Sequence, residues 1–156
     1  MSLKRKVYSI ISCLAVLIWM GVIFYMSAQT ADDSSEMSNA LLLWIQNALG
    51  AELSSFLIRK AAHATEFALL AMLLYNFIKS VYRNRFAVLI SLPLTVLYAV
   101  TDEIHQLFVP GRACRFTDVL IDSAGAVLGT LAAVIIYKLI KIIAERRNKN
   151  GSTQSI

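Results

Sequence analysis

Cysteine occurs twice in 156 residues, as Cys13 and Cys114. Cys13 falls inside an apolar run and Cys114 in a polar connection on its far side, whereas a disulfide requires Cα atoms within about 7 Å of each other. Two thiols without companions also exclude a thiolate metal cluster. Proline is equally scarce: Pro93 should bend an apolar run, and Pro110 stands in a Pro-Gly turn. Charged residues make up only 16% of the chain against 58% hydrophobic, which excludes an ordinary soluble domain. No hydroxyl or thiol stands out as an activated nucleophile, so any hydrolysis has to use activated water.

What the chain has is apolar length. Four runs, at about 7–27, 57–79, 86–107 and 118–138, match the roughly 20 residues with which a helix crosses about 30 Å of hydrocarbon. The expected fold is all-α, an integral membrane four-helix bundle. Residues 1–145 form its membrane domain, and 146–156 a basic polar tail along anionic headgroups. The first run follows Lys4-Arg5-Lys6 but lasts about 20 residues and ends at Tyr25-Met26-Ser27-Ala28, a poor cleavage site, so it reads as a permanent anchor. Beyond it, 27–36 reads as loop or frayed helix. Residues 39–49, with Leu41, Trp44, Ile45 and Ala48 on a helical period, read as a short interfacial helix in the first outer loop.

A net charge of +5 would suit nucleic acid, but the charges are segregated in a way that excludes it. Eleven of the 15 basic residues lie on one side of the four runs: Lys4, Arg5, Lys6, Lys79, Arg83, Arg85, Lys138, Lys141, Arg146, Arg147 and Lys149. Arg59, Lys60, Arg112 and Arg115 lie on the other. The positive-inside rule therefore predicts a multi-pass protein of the cell membrane with both termini cytoplasmic. Nine of the ten carboxylates fall on the outer half and only Glu145 inside. Acids orient little by themselves, so their asymmetry reads as a property of a site.

That site is a polar layer. Arg59-Lys60-x-x-His63-x-x-Glu66, Asp102-Glu103-Ile104-His105-Gln106 and Asp118-x-x-x-Asp122 each place ionisable groups inside apolar helices. A charge near the bilayer core costs roughly 2.5 to 3.5 kcal/mol even on a lenient scale. At about 1.5 Å per residue from the basic ends, Glu66, Asp102, His63 and Asp122 stand roughly 20 to 26 Å up, with His105 and Asp118 about 30 Å up. Asp118, Asp122, Gly125 and Gly129 share one stripe, and Gly-x-x-x-Gly lets membrane helices approach closely, so these acids should face the packed side. Ser91, Thr95, Tyr98, Asp102, His105 and Gln106 make a second polar stripe.

Several chemistries fit such a layer. His63-x-x-Glu66 and Asp102-x-x-His105 set an imidazole and a carboxylate one turn apart, a spacing related to that of dinuclear metal bundles, with Asp118 and Asp122 as further ligands. The alternative is a hydrogen-bonded network that only locks the helices together. His63, Glu66, Asp102, Glu103, His105 and Asp122 are the acid–base candidates, because a desolvated layer pushes titrations apart. Gln106, Arg112, Arg115 and Asp118 are the ligand-binding candidates. Two guanidiniums after the Pro110-Gly111 turn can hold a phosphate or carboxylate, or can neutralise the acids. Cys114 reads as an exposed small residue.

Arg59-Lys60-x-x-His63-x-x-Glu66-Phe67, the stretch from Asp102 through His105-Gln106-Leu107-Phe108-Val109-Pro110-Gly111-Arg112, and Asp118-Val119-Leu120-Ile121-Asp122-Ser123-x-Gly125-x-x-x-Gly129 resemble the VanZ-like membrane protein family in order and spacing. Ser27-Ala28-Gln29 and Ser35 resemble its region after the first helix, so the likeness covers about residues 20–135. Ala113-Cys114 depart from the small, flexible pair expected there. The resemblance implies a small multi-pass membrane protein and, for the founding member, a contribution to teicoplanin resistance. It implies no established reaction, and it leaves cofactor and metal unknown. The expected partner is a membrane lipid or a lipid-linked envelope precursor. Two functions follow: a binding protein of the bacterial envelope that modulates glycopeptide susceptibility, or a membrane-embedded hydrolase or transferase, metal-dependent or not, acting on a lipid-linked or phosphorylated substrate.

Overall fold

The structure is a computed structural model that describes residues 2–49, 54–82 and 86–153. It contains five helices, α1 (Leu3–Ser27), α2 (Ala31–Leu49), α3 (Ser55–Tyr82), α4 (Ala87–Gln106) and α5 (Phe116–Thr153), and no strand among the described residues. Helices α1, α3, α4 and α5 are long and apolar enough to cross a membrane, and α2 is not. The exterior bears this out. Leu17, Leu128 and Ile143 are each more than half exposed along with many other large apolar side chains, a surface that only lipid would tolerate.

Helix α3 is the axis, packing against all four others. Its Phe67, Leu70 and Leu74 meet Val16 and Ile23 of α1 and Ala99 of α4, while Tyr75 and Ile78 meet Ala87 and Ala133. Packing this tight in a bilayer depends on small residues, because lipid gives no hydrophobic drive for helices to associate. A Cβ added at Gly125 would collide with the carbonyl of Ala64, and one at Gly129 with that of Ala68. The α3 and α5 backbones therefore touch at the polar end of the bundle.

Polar bonds tie the same elements. Trp19 donates to the Glu66 carbonyl at 3.0 Å, and Tyr98 to that of Met20 at 2.8 Å. At the opposite, basic end, the Arg5 guanidinium donates to the Ser80 and Val81 carbonyls at 2.8 and 2.7 Å, capping the C-terminal turn of α3. The stripe on α4 faces inward as expected, with Ser91, Thr95, Asp102 and Gln106 buried, and the helix continues through Pro93.

Two boundaries differ from the sequence reading. Helix α2 starts at Ala31, as regular helix within the segment expected to be loop or frayed helix, because Thr30 and Asp33 cap it: the Asp33 N–H donates to Thr30 Oγ1 at 3.2 Å and the hydroxyl donates to Asp33 Oδ2 at 2.7 Å. Helix α5 does not stop near 138 but runs on to Thr153, so most of the basic tail is helical. Arg83 and Arg85, counted on the basic side, lie outside the described residues, as do 154–156.

Candidate functional site

The first turns of α3 place Arg59, His63 and Glu66 four and three residues apart, hence on one face. That face borders a cavity of about 150 Å3. Met26 closes it from α1, Ser34, Met37, Ser38 and Leu41 from α2, and Arg112 from the connection after α4. Helix α2 is thus the roof. The Arg59 guanidinium donates to Ser35 Oγ at 2.8 Å, and the Ala31 N–H to the Pro110 carbonyl at 3.3 Å. Gly111 makes the second contact possible: its φ of +74° belongs to glycine, and a Cβ there would press on the Ala31 methyl at 2.9 Å.

The cavity wall is polar and incompletely bonded. Arg59 Nε, His63 Nδ1 and Glu66 Oε2 are buried without a hydrogen-bond partner among the described residues, and the last two stand 3.9 Å apart. Buried polar atoms of native proteins are normally satisfied, so three on one small cavity mark a place where water or a ligand completes the bonding. Arg112 is oriented by two carbonyls at the end of α1, those of Gln29 at 3.0 Å and Met26 at 3.4 Å, with Asp102, Glu103 and Glu66 within electrostatic range. Burial first, and then the Arg59 charge, lower its pKa from the ordinary arginine value. Two guanidiniums facing one cavity repel each other, and an anion between them would relieve that.

Behind the wall lies the rest of the layer. Gln106 donates to Asp102 Oδ2 at 3.1 Å, and the Arg115 backbone N–H donates to Glu103 Oε2 at 2.9 Å. Lys60 pairs with Asp118. His105 stacks on Phe24 with ring centroids 4.4 Å apart, leaving Nε2 without a partner. Asp122 is 1% exposed with both oxygens unbonded, within electrostatic range of Glu103, Asp102, Asp118 and Glu66.

Of the residues singled out from sequence, His63, Glu66 and Arg112 reach the cavity, while Asp102, Glu103, Gln106, Asp118 and Asp122 form the network beneath it. His105 faces α1, and the Arg115 side chain is exposed, its backbone making the internal bond. Among the described residues no three His, Cys, Asp or Glu side chains are grouped so as to hold a metal ion. Both cysteines are free. Sequence reasoning counted Arg59 in the polar layer but not among the ligand-binding candidates, although it lies one turn before His63, and it left the α2 serines of the cavity out.

A bundle of four membrane-length helices with a roofed polar cavity at one end defines a small multi-pass membrane protein. The VanZ/LLP1 family model matches residues 12–139, most of the chain, and the protein belongs to that family. No curated protein and no solved structure matches the chain.

Proposed function

We propose that the protein binds the anionic head of a lipid-linked cell-envelope component in the cavity under α2, and thereby alters how glycopeptides reach wall precursors. The supporting observation is the cavity itself, in which two guanidiniums outnumber one carboxylate and three buried polar atoms lack partners. Its volume would take about five waters at roughly 30 Å3 each, which is also the scale of one phosphate group. Met26, Met37, Leu41 and Ile58 give the remaining wall an apolar character suited to the first carbons of a lipid tail.

Farnesyl phosphate and farnesol are the probes, titrated into detergent-purified protein. The phosphate should bind and the alcohol should not compete. Arg59→Gln should weaken phosphate binding about ten- to a hundredfold, what a lost charge-assisted hydrogen bond of roughly 1.5 to 3 kcal/mol amounts to. Equal affinity for both probes, or an unchanged variant, would overturn the reading. A second reading rests on His63 Nδ1 and Glu66 Oε2, 3.9 Å apart on the cavity wall: an acid–base pair that directs water at a phosphoryl group. Farnesyl diphosphate tests it. Phosphate release abolished by His63→Ala and Glu66→Gln would establish turnover, and none from the wild type would leave binding alone.

The proposal sets the cavity in the outer leaflet, with both termini cytoplasmic. Cys114 is exposed beside the cavity end and Cys13 lies within α1. A membrane-impermeant maleimide should therefore label Cys114 from outside intact cells. Labelling only after the cells are opened would invert the topology.

A further inference from the structure

The end of the bundle away from the polar cavity carries a second, larger concavity. Helices α1 and α5 both pack on α3 and α4 but make at most marginal contact with each other, and a groove of about 920 Å3 lies beside α3 between them. Its origin is legible along one stripe of α5, where residues four apart read Gly125, Gly129, Ala133, Tyr137. The two glycines let the α3 and α5 backbones touch, and beyond them the side chains of the stripe grow to alanine and then tyrosine toward the basic end. The side-chain gradient is a wedge.

The wedge is apolar at its deep end, where Leu69 and Leu73 of α3 face Ala133 and Ile136. Its mouth is cationic, with Arg5 and Lys79. Lys79 Nζ lies over the Tyr137 ring at 4.4 Å and over the Tyr75 ring at 6.0 Å, which fixes the ammonium at the rim. No carboxylate among the described residues lines the groove. From Leu69 to Ser80 along α3 the groove is about 16 Å long at roughly 1.5 Å per residue, running from mid-span to the basic end.

We infer that this groove is a binding site for an anionic phospholipid of the leaflet on the side of the termini, its acyl chain lying along α3 and its phosphate at Lys79. The charge pattern excludes a second copy of the chain as the natural occupant. A copy could offer this end only Glu145, which is already paired with Lys141 at 3.8 Å. The site is separate from the cavity under α2 and does not depend on what that cavity binds.

The test uses full-length protein reconstituted in vesicles of equal parts phosphatidylglycerol and phosphatidylcholine, released in mild detergent and weighed by native mass spectrometry. The wild type should retain phosphatidylglycerol in preference to phosphatidylcholine. Lys79→Ala should reduce that preference about fivefold, the worth of one basic residue at an anionic surface. Ala133→Phe, which fills the wedge, should reduce retained lipid of both kinds, and Gly21→Ala, whose added carbon meets nothing within 4 Å, should change neither quantity. Because Ala133→Phe can splay the helices, Lys79→Ala at the rim decides the matter. An unaltered phosphatidylglycerol preference in a folded Lys79→Ala protein would overturn the site. So would cross-linking of Tyr137→Cys to the same position of a second copy in the vesicle.

Discussion

Gly129→Leu will separate α3 from α5, with a loss of stability larger than the roughly 1 to 3 kcal/mol of ordinary overpacking. Overpacking is usually relieved by moving a neighbouring side chain to another rotamer. Here the neighbour is backbone, the Ala68 carbonyl, already engaged in its own helix. Relief requires translating one helix away from the other, which would also loosen Ala64 against Gly125 and lower the whole contact. Even Gly129→Ala should be destabilising, because the first carbon added meets that carbonyl. Gly21→Ala is the control. Nothing lies within 4 Å of its added carbon, so it should leave stability unchanged or raise it by up to about 1 kcal/mol through helix propensity. Thermal unfolding in detergent, followed by the fluorescence of Trp19, which packs on the core cluster around Phe67, reads both. Equal melting of Gly129→Leu and wild type would mean that α3 and α5 do not meet through this stripe.

The same stripe shows why part of the molecule was legible from residues alone. Membrane-length apolar runs are read by counting, since the bilayer fixes how long a helix has to be. The inward face of α5 follows from Asp118, Asp122, Gly125 and Gly129 lying four or three residues apart, a pattern that lipid would reject. The second half of α2 was read from the period of Leu41, Trp44, Ile45 and Ala48, whereas its first turns escaped because they are polar and have no apolar period. What orders them is the Thr30 cap, the Arg59 bond to Ser35 and the Pro110 carbonyl, two of these being tertiary. Arg112 escaped for a related reason. A guanidinium near carboxylates in sequence suggests ion pairing, but the nearest acceptors in space are carbonyls left open at the end of α1, and no residue spacing announces those.

The ion pair between Lys60 and Asp118 carries the other large effect. The two side chains are only 15% and 17% exposed, so each ion relies on the other in place of water. Lys60→Met should cost about 3 kcal/mol, the lower end of the roughly 3 to 5 kcal/mol for stripping one partner from a buried pair. Asp118 keeps some support, because it sits in the first turn of α5, where the helix dipole favours an anion by about 0.3 to 1 kcal/mol. Asp118→Leu should cost more, since it removes that term as well and leaves an ammonium supported only by the Phe56 ring at 5.4 Å and, at longer range, by Glu103 among the described residues. The double variant, Lys60→Met with Asp118→Leu, should recover most of either loss, because two apolar side chains of similar size leave no ion to desolvate. Reversible unfolding of the three variants, monitored by circular dichroism, measures the coupling. Losses that simply added would show that lysine and aspartate are each solvated on their own, and that the polar end of the bundle is wet where this packing makes it dry.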